Sequence, residues 1–422
     1  MGQFYSHSSN PKVKIALAIF SIALSNVTFA TYSVFNVIFA LLAAHYYLSN
    51  IGKLDTLFFC IVLLLLFIGL GQTFVFQTYN LYNFGGIFLI FLIPYFAYKT
   101  IGLGYFQYFV KIIYVLAFIS LFFWAAINIW PGFGTVLQSV SRALRLDPGS
   151  NESVIVYNVE LGKSSLGFIK NSGFTAEGGL FCTFLIPALY LNNIRNFKLW
   201  TKINIVLILA IITTSSTAGY AALLIFLLFA VLNMKSKVVA IILLPLIIVM
   251  GIYVVKELPF MFDKVNKSYT DEMNVYNSTK NPARKGRFLG ARVDLDIIKD
   301  NPLTGRGIYN EVRYLNEEER EIGYSNSYLG IVGLASRYGL ILWFFYMYLL
   351  LKFLYRYYAL MNQGKLNSNR LYPLFFFLSI FAIAMGQNPF YSVVYLTMVY
   401  AGFDLITKKV TVRANKNIKS LG

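Results

Sequence analysis

Five basic residues stand between positions 280 and 292 with no acid among them: Lys280, Arg284, Lys285, Arg287 and Arg292. Arg306 and Arg313 follow. A guanidinium is planar and permanently charged, and it donates two parallel hydrogen bonds, so such a group suits phosphate. Held just above a membrane, it could bind a lipid pyrophosphate; a solvated basic stretch or a headgroup contact fits the same residues. A carboxylate, Glu177, opens a long apolar run. An ionisable group at that depth is costly and points to function. Partial burial would raise its pKa and suit it to taking a proton from a hydroxyl. The competing reading is a helix N-cap, since carboxylates favour that end of the helix dipole. Thr213-Thr214-Ser215-Ser216-Thr217 is a hydroxyl-rich turn that could bind sugar or satisfy helix ends. Arg337 sits inside an apolar stretch, either facing a polar cavity or marking where a membrane span begins.

The segment from Gly290 to Gly307 has its own pattern. Ala291, Leu295 and Ile298 share one helical face, which predicts a short amphipathic helix lying along the bilayer surface. Asn301-Pro302 should end it, and Gly305 and Gly307 permit a tight turn. The acidic run Glu317-Glu318-Glu319-Arg320-Glu321 reads as a solvated helix face.

These groups need a scaffold, and composition says which kind. The chain has 422 residues, 58% hydrophobic and 13% charged. Soluble proteins carry about 25% charged residues. With 39 Phe and 31 Tyr, the apolar excess is more than one soluble core could bury. The expectation is an all-α polytopic membrane protein with about 12 transmembrane helices of roughly 20 residues each. Apolar runs fall near 13–27, 30–48, 56–72, 84–98, 105–129, 176–192, 201–214, 217–233, 238–255, 328–351, 371–386 and 390–406. Two pairs are nearly continuous, so the count lies between 10 and 12. The first run ends like a signal peptide, but another follows at once, so an uncleaved first span is expected. The whole chain, 1–422, reads as one integral membrane domain. Two long polar stretches, 130–175 and 256–327, interrupt it and are expected to be functional loops containing short helices.

Placing the N-terminus inside puts 19 basic and two acidic residues, Asp55 and Asp404, in the inner segments. This satisfies the positive-inside bias, with both termini cytoplasmic and both long loops outside. The outer loops hold 16 basic and 16 acidic residues, so the formal net charge of +18 is a topology signal and implies no nucleic acid. Cys60 and Cys182 lie in apolar runs, and the two histidines, His7 and His45, form no metal-ligand spacing. No metal or cofactor is expected. Sequons at Asn151, Asn266 and Asn277 matter only in a glycosylating secretory pathway.

The set of motifs resembles the O-antigen polymerase (Wzy) and O-antigen ligase superfamily of bacterial membrane glycosyltransferases. The resemblance rests on Gly173-Phe174-Thr175-Ala176-Glu177 opening a middle helix, and on Arg292 with Asn301-Pro302-Leu303-Thr304-Gly305-Arg306-Gly307. It also rests on the turn Ser215-Ser216-Thr217-Ala218-Gly219-Tyr220 and on Tyr324-Ser325-Asn326-Ser327-Tyr328-Leu329. It implies a GT-C-like architecture in the bacterial inner membrane and a metal-independent transfer of glycan from undecaprenyl pyrophosphate. Polymerases pass that glycan to the next lipid-linked repeat unit, and ligases pass it to lipid A core. Glu177 is the implied base and Arg292 the implied pyrophosphate ligand. Arg284, Arg287, Arg306, Arg313, Ser215, Ser325 and Asn326 would bind substrate. Membrane lipids, a chain-length regulator and a flippase are the implied partners. Ligases carry a histidine where this chain has Ser325, and a turn arginine where it has Thr217; both departures favour a polymerase. A flippase or exporter is the rival from another class. It would need charges lining a path through the spans, and here the charge sits in the loops.

Overall fold

The computed structural model describes residues 10–24, 33–50, 53–77, 81–143, 152–154, 156–159, 167–195, 197–233, 287–306, 329–362 and 371–407, with single positions at 238, 245 and 270. The first five long helices are α1 (Pro11–Ala23), α2 (Ser33–Asn50), α3 (Thr56–Phe76), α4 (Leu81–Ile101) and α5 (Tyr105–Ile129). A short helix, α6 (Pro131–Ala143), then leads into an antiparallel hairpin, β1 (Glu152–Val154) with β2 (Tyr157–Val159). Next come α7 (Gly178–Asn193), α8 (Lys202–Thr213), α9 (Thr217–Leu232) and the loop helix α10 (Arg287–Asp300). The chain closes with α11 (Gly330–Met361), α12 (Tyr372–Ala384) and α13 (Val393–Thr407).

Among the described residues, each apolar run of the sequence coincides with a helix. The run at 238–255 lies outside them, apart from two single positions. The small hairpin is a departure from an all-α chain. It sits in the first polar stretch, where the side chains of Tyr157 and Val159 bury against Ile127 and Leu137. Three stretches, Thr56–Phe76, Gly85–Ile129 and Gly330–Met361, are long and apolar enough to cross a membrane, and five shorter apolar helices accompany them.

The helices are apolar nearly all round, so each must be covered by protein or by lipid on every side. Inward faces pack as α11 on α13, α9 on α12, α2 on α4, and α5 on α7 and α8. Fully buried aromatics fill the centre, among them Tyr95, Phe106, Phe181, Tyr190 and Phe226. Tyr190 stacks on Phe376 at 4.4 Å and 1°. Its hydroxyl lies 2.8 Å from Ser379 Oγ, so the polar tip is satisfied within the apolar interior. Outward faces stay apolar too: Phe67 is 74% exposed and Phe74 86%. Such a surface suits hydrocarbon and not water.

One end of the bundle is tied by charge. Lys99 Nζ, on α4, lies 2.6 Å from Asp55 and 2.6 Å from Asp404 on α13. Tyr95 donates to Asp55 at 2.8 Å. Asp55 also accepts from Phe58 N at 3.2 Å, which starts α3. Burial alone would raise the Asp55 carboxyl, but the bonds from Lys99 and Tyr95 and the Lys99 charge hold it below the usual carboxylate range. A depressed carboxyl contributes stability that is present at neutral pH and lost as pH falls through the lowered value. Removing one partner of a buried pair costs about 3–5 kcal/mol. Lys99→Ala should therefore lower the apparent melting temperature of detergent-purified protein by several degrees at neutral pH. An unchanged melting curve would show that the cluster holds nothing together.

Candidate functional site

Glu177 lies at the other end of the bundle, and the preceding loop fixes it there. Asn171 is fully buried and bonds to Ser120 of α5 and Thr213 of α8 at 3.1 and 3.0 Å. Its Oδ1 accepts from Gly173 N. Gly173 has φ +54 and packs so closely on Phe181 that a Cβ would overlap the ring. Phe174 buries against Phe181 and Phe184. Thr175 then closes a turn onto the Ser172 carbonyl at 2.9 Å, and Asn158 of β2 donates to the Ala176 carbonyl. Glu177 follows with extended backbone at the N-cap position of α7, its carbonyl accepting from Phe181 N. Its side chain makes no capping hydrogen bond. The residue occupies the cap position, yet the carboxylate is not used as the cap.

The hydroxyl turn divides its labour. Ser216 caps α9 by accepting from Gly219 N at 3.2 Å. Thr213 and Thr214 donate to carbonyls one turn back on α8, so three hydroxyls serve helix ends. Ser215 does not: it has φ +51, and its buried Oγ has no hydrogen-bond partner among the described residues. This turn touches the Glu177 loop directly, since a Cβ on Gly178 would overlap the Thr214 carbonyl. The connection between α12 and α13 completes the neighbourhood. Gln387 packs on Gly179, and its carbonyl accepts from Gly330 N at 3.0 Å, the first residue of α11.

The motif Asn301–Arg306 has a structural role that spacing alone does not reveal. Helix α11 is broken at Gly339, which has φ 85 and ψ 163. The break frees backbone groups that need partners in an apolar interior. The turn after α10 supplies them. Leu340 N donates to the Pro302 carbonyl at 2.7 Å, and Arg306 N donates to the Ser336 carbonyl at 2.7 Å. The buried Gln72 of α3 gives its amide hydrogens to the Arg337 and Thr304 carbonyls, at 2.8 and 3.0 Å. Gly305, at φ +64, lies against the Arg337 backbone. Ser336 Oγ donates to the buried Asp294 at 2.6 Å and locks α10 onto α11.

That bond corrects the expected face of the loop helix. Gly290, Val293, Asp294 and Ile297 form the buried stripe, whereas Leu295 is 50% exposed. The acid belongs to the buried face because Ser336 satisfies it, and α10 packs on protein along that stripe.

The basic residues separate accordingly. Arg292 is exposed on α10 and pairs with Asp296 at 3.2 Å. Arg306 is half-buried, with its guanidinium 4.9 Å from the Phe76 ring. Arg337 is half-buried over Tyr391 at 5.5 Å. Arg284, Arg313, Ser325 and Asn326 lie outside the described residues, as do the 317–321 acidic run and the three sequons; Arg287 is described only as helix backbone. Sequence reasoning missed Gln72 and the Gly339 break, and the buried Ser336–Asp294 bond.

A side chain at residue 339 would meet the Leu303 carbonyl at 1.9 Å, in a conformation essentially confined to glycine. Gly339→Ala should therefore expel the turn and sharply reduce monodisperse protein on size-exclusion chromatography. Gly71→Ala, where the space is open, is the matched control and should behave as wild type. Equal yields of the two variants would refute the fit of turn to break.

Residues 203–347 match the family model for the O-antigen ligase domain, Wzy_C, which bears out the kinship expected with the O-antigen polymerase and ligase superfamily. The match runs from α8 through the broken part of α11 and so spans the hydroxyl turn, α10 and the plugging turn. No curated protein matches the chain.

Proposed function

We propose that the protein is a polymerase of lipid-linked polysaccharide repeat units. It transfers a glycan from undecaprenyl pyrophosphate to the next unit at the outer face of a bacterial inner membrane. The observation that carries this reading is the placement of Glu177. A buried loop fixes Glu177 at one end of the bundle, its carboxylate is not the cap of α7, and the turn bearing Arg306 is built into the same end.

The reaction needs two things from the chain. Glu177 takes the proton from an acceptor hydroxyl as its oxygen attacks the anomeric carbon of the donor. The bond from that carbon to the pyrophosphate oxygen breaks as the new one forms, which inverts the centre. The leaving pyrophosphate keeps the bonding electrons, and Arg292 and Arg306, with Arg284, Arg287 and Arg313 from the same loop, neutralise its charge. Ser215, Ser325 and Asn326 position sugar. No metal is required, because the cations are side chains.

The basic bias of the short loops supports this orientation, with the Lys99 end and both termini cytoplasmic and the Glu177 end outside. Membrane lipids surround the bundle, and a flippase and a chain-length regulator are its working partners. The description of the matched family favours a second reading, transfer of finished glycan to lipid A core. Ser325, where ligases carry a histidine, weighs against it. Loss of a polymerase leaves single repeats on the core, and loss of a ligase leaves polymer on the lipid carrier.

Arg292→Ala should abolish long glycan while the protein stays in the membrane. Glu177→Gln should lower in vitro extension of a synthetic lipid-linked repeat unit by about 10²-fold or more, as loss of a general base does. A full ladder from Arg292→Ala cells removes the pyrophosphate role, and wild-type extension by Glu177→Gln reduces that residue to a helix-end group.

A further inference from the structure

Beside the Glu177 loop lies a group of buried polar atoms of which the proposed chemistry uses only Ser215. Asn388 Oδ1, Ser392 Oγ and Tyr395 OH, on the connection into α13 and its first turn, are buried with no hydrogen-bond partner among the described residues, as is Ser215 Oγ. Arg337 Nε is buried and likewise unpartnered. These groups belong to one neighbourhood. The Arg337 guanidinium faces the ring of Tyr391, between Asn388 and Ser392 in the chain, at 5.5 Å. Gln387, next to Asn388, packs on Gly179 two residues from Glu177. Tyr395 stands edge-on to Phe390, with ring centroids 6.2 Å apart, and Cys182 lies one turn along α7 from Gly179. Cys182 Sγ in turn lies 3.3 Å from the Thr214 hydroxyl, next to Ser215. Among the described residues no carboxylate pairs with Arg337.

A buried polar group without a partner costs about 1–3 kcal/mol, and folded proteins keep few of them. Five gathered at one end of the bundle form a set of unpaired donors and acceptors among the described residues. Their chemistry is specific: one cation with a face already stacked on an aromatic ring, in a neighbourhood that holds three hydroxyls and an amide oxygen. Neutral hydroxyls and amides match the hydroxyls of a pyranose. A single guanidinium matches one carboxylate through paired hydrogen bonds. A pyrophosphate, with its greater charge, is better served by the several cations of the loop around Arg292.

We infer that Arg337, with Asn388, Ser392 and Tyr395, forms a subsite for an acidic sugar and selects a uronate residue of the repeat unit through its carboxylate. This rests on the polymerase reading and deepens it by naming the substrate class. Arg337 is then a specificity-determining residue, distinct from the leaving-group arginines.

The test uses full-length protein in detergent with glucuronate, galacturonate, glucose and inorganic pyrophosphate as probes, read by thermal protection. Uronates should protect wild type and glucose should not. Arg337→Gln should weaken uronate protection about tenfold or more, a loss of ~1.4 kcal/mol or greater. Arg337→Lys should restore part of it, and pyrophosphate protection should be the same in all three proteins. Ser392→Ala provides a second variant if Arg337→Gln does not fold, and it should weaken uronate and leave pyrophosphate unchanged. Uronate protection that survives Arg337→Gln overturns the subsite, and so does pyrophosphate protection that falls with it. The extension assay separates this inference from its premise. If the protein extends lipid-linked units but Arg337→Gln treats native and carboxyl-reduced units as wild type does, the subsite alone is wrong. If it extends none, the polymerase reading fails, and the uronate assay still decides the pocket.

Discussion

The end of the bundle that carries the site depends on a broken helix. Continuous helices satisfy their own backbone, which is why they cross apolar media. At Gly339 this chain gives up that economy and exposes carbonyls and an amide in its interior. The deficit is met from two directions, by the Pro302–Arg306 turn and by Gln72. A polar loop is thereby fastened into an apolar scaffold by backbone bonds, which do not depend on side-chain rotamers. The arginine-bearing helix α10 inherits its position from this joint and from Ser336 holding Asp294.

Two kinds of chemistry are thus held by two kinds of support. Glu177 is held from behind, by a loop packed with Asn171, Phe174 and Thr175, and its backbone has little freedom. The arginines are held through the plugging turn, where Arg306 rests on Phe76 and Arg292 remains exposed beside Asp296. On the proposed reading, a closely held carboxylate and longer, charge-rich arms suit a reaction in which a hydroxyl must be aimed closely and a large anion received loosely.

Much of this was legible in the sequence. The apolar runs mark the described helices because hydrophobicity all round a helix leaves a long, unambiguous signal. Gly173 to Glu177 stood out because a carboxylate at the head of an apolar run is rare. The face of α10 was not legible, since Asp294 reads as solvated until its partner, 42 residues later, is known. The break in α11 was hidden because a lone glycine in an apolar run looks like a tolerated helix residue. The hairpin of Glu152–Val154 and Tyr157–Val159 is too short for alternation to be recognised. Gln72 meets Arg337 across 265 positions, and nothing local to either announces the other.

Lys99 illustrates the same principle on the scale of the whole chain. Its two carboxylate partners come from opposite ends of the sequence, Asp55 44 residues before it in chain order and Asp404 305 residues after. During synthesis the early helices therefore emerge with Lys99 and Asp55 able to pair one to one, and the second carboxylate arrives only with α13. Helix α13 works as a clasp. It adds a second carboxylate to an ion pair made within the first quarter of the protein, so a chain truncated before α13 would keep the Lys99–Asp55 pair and lose the tie between α4 and α13.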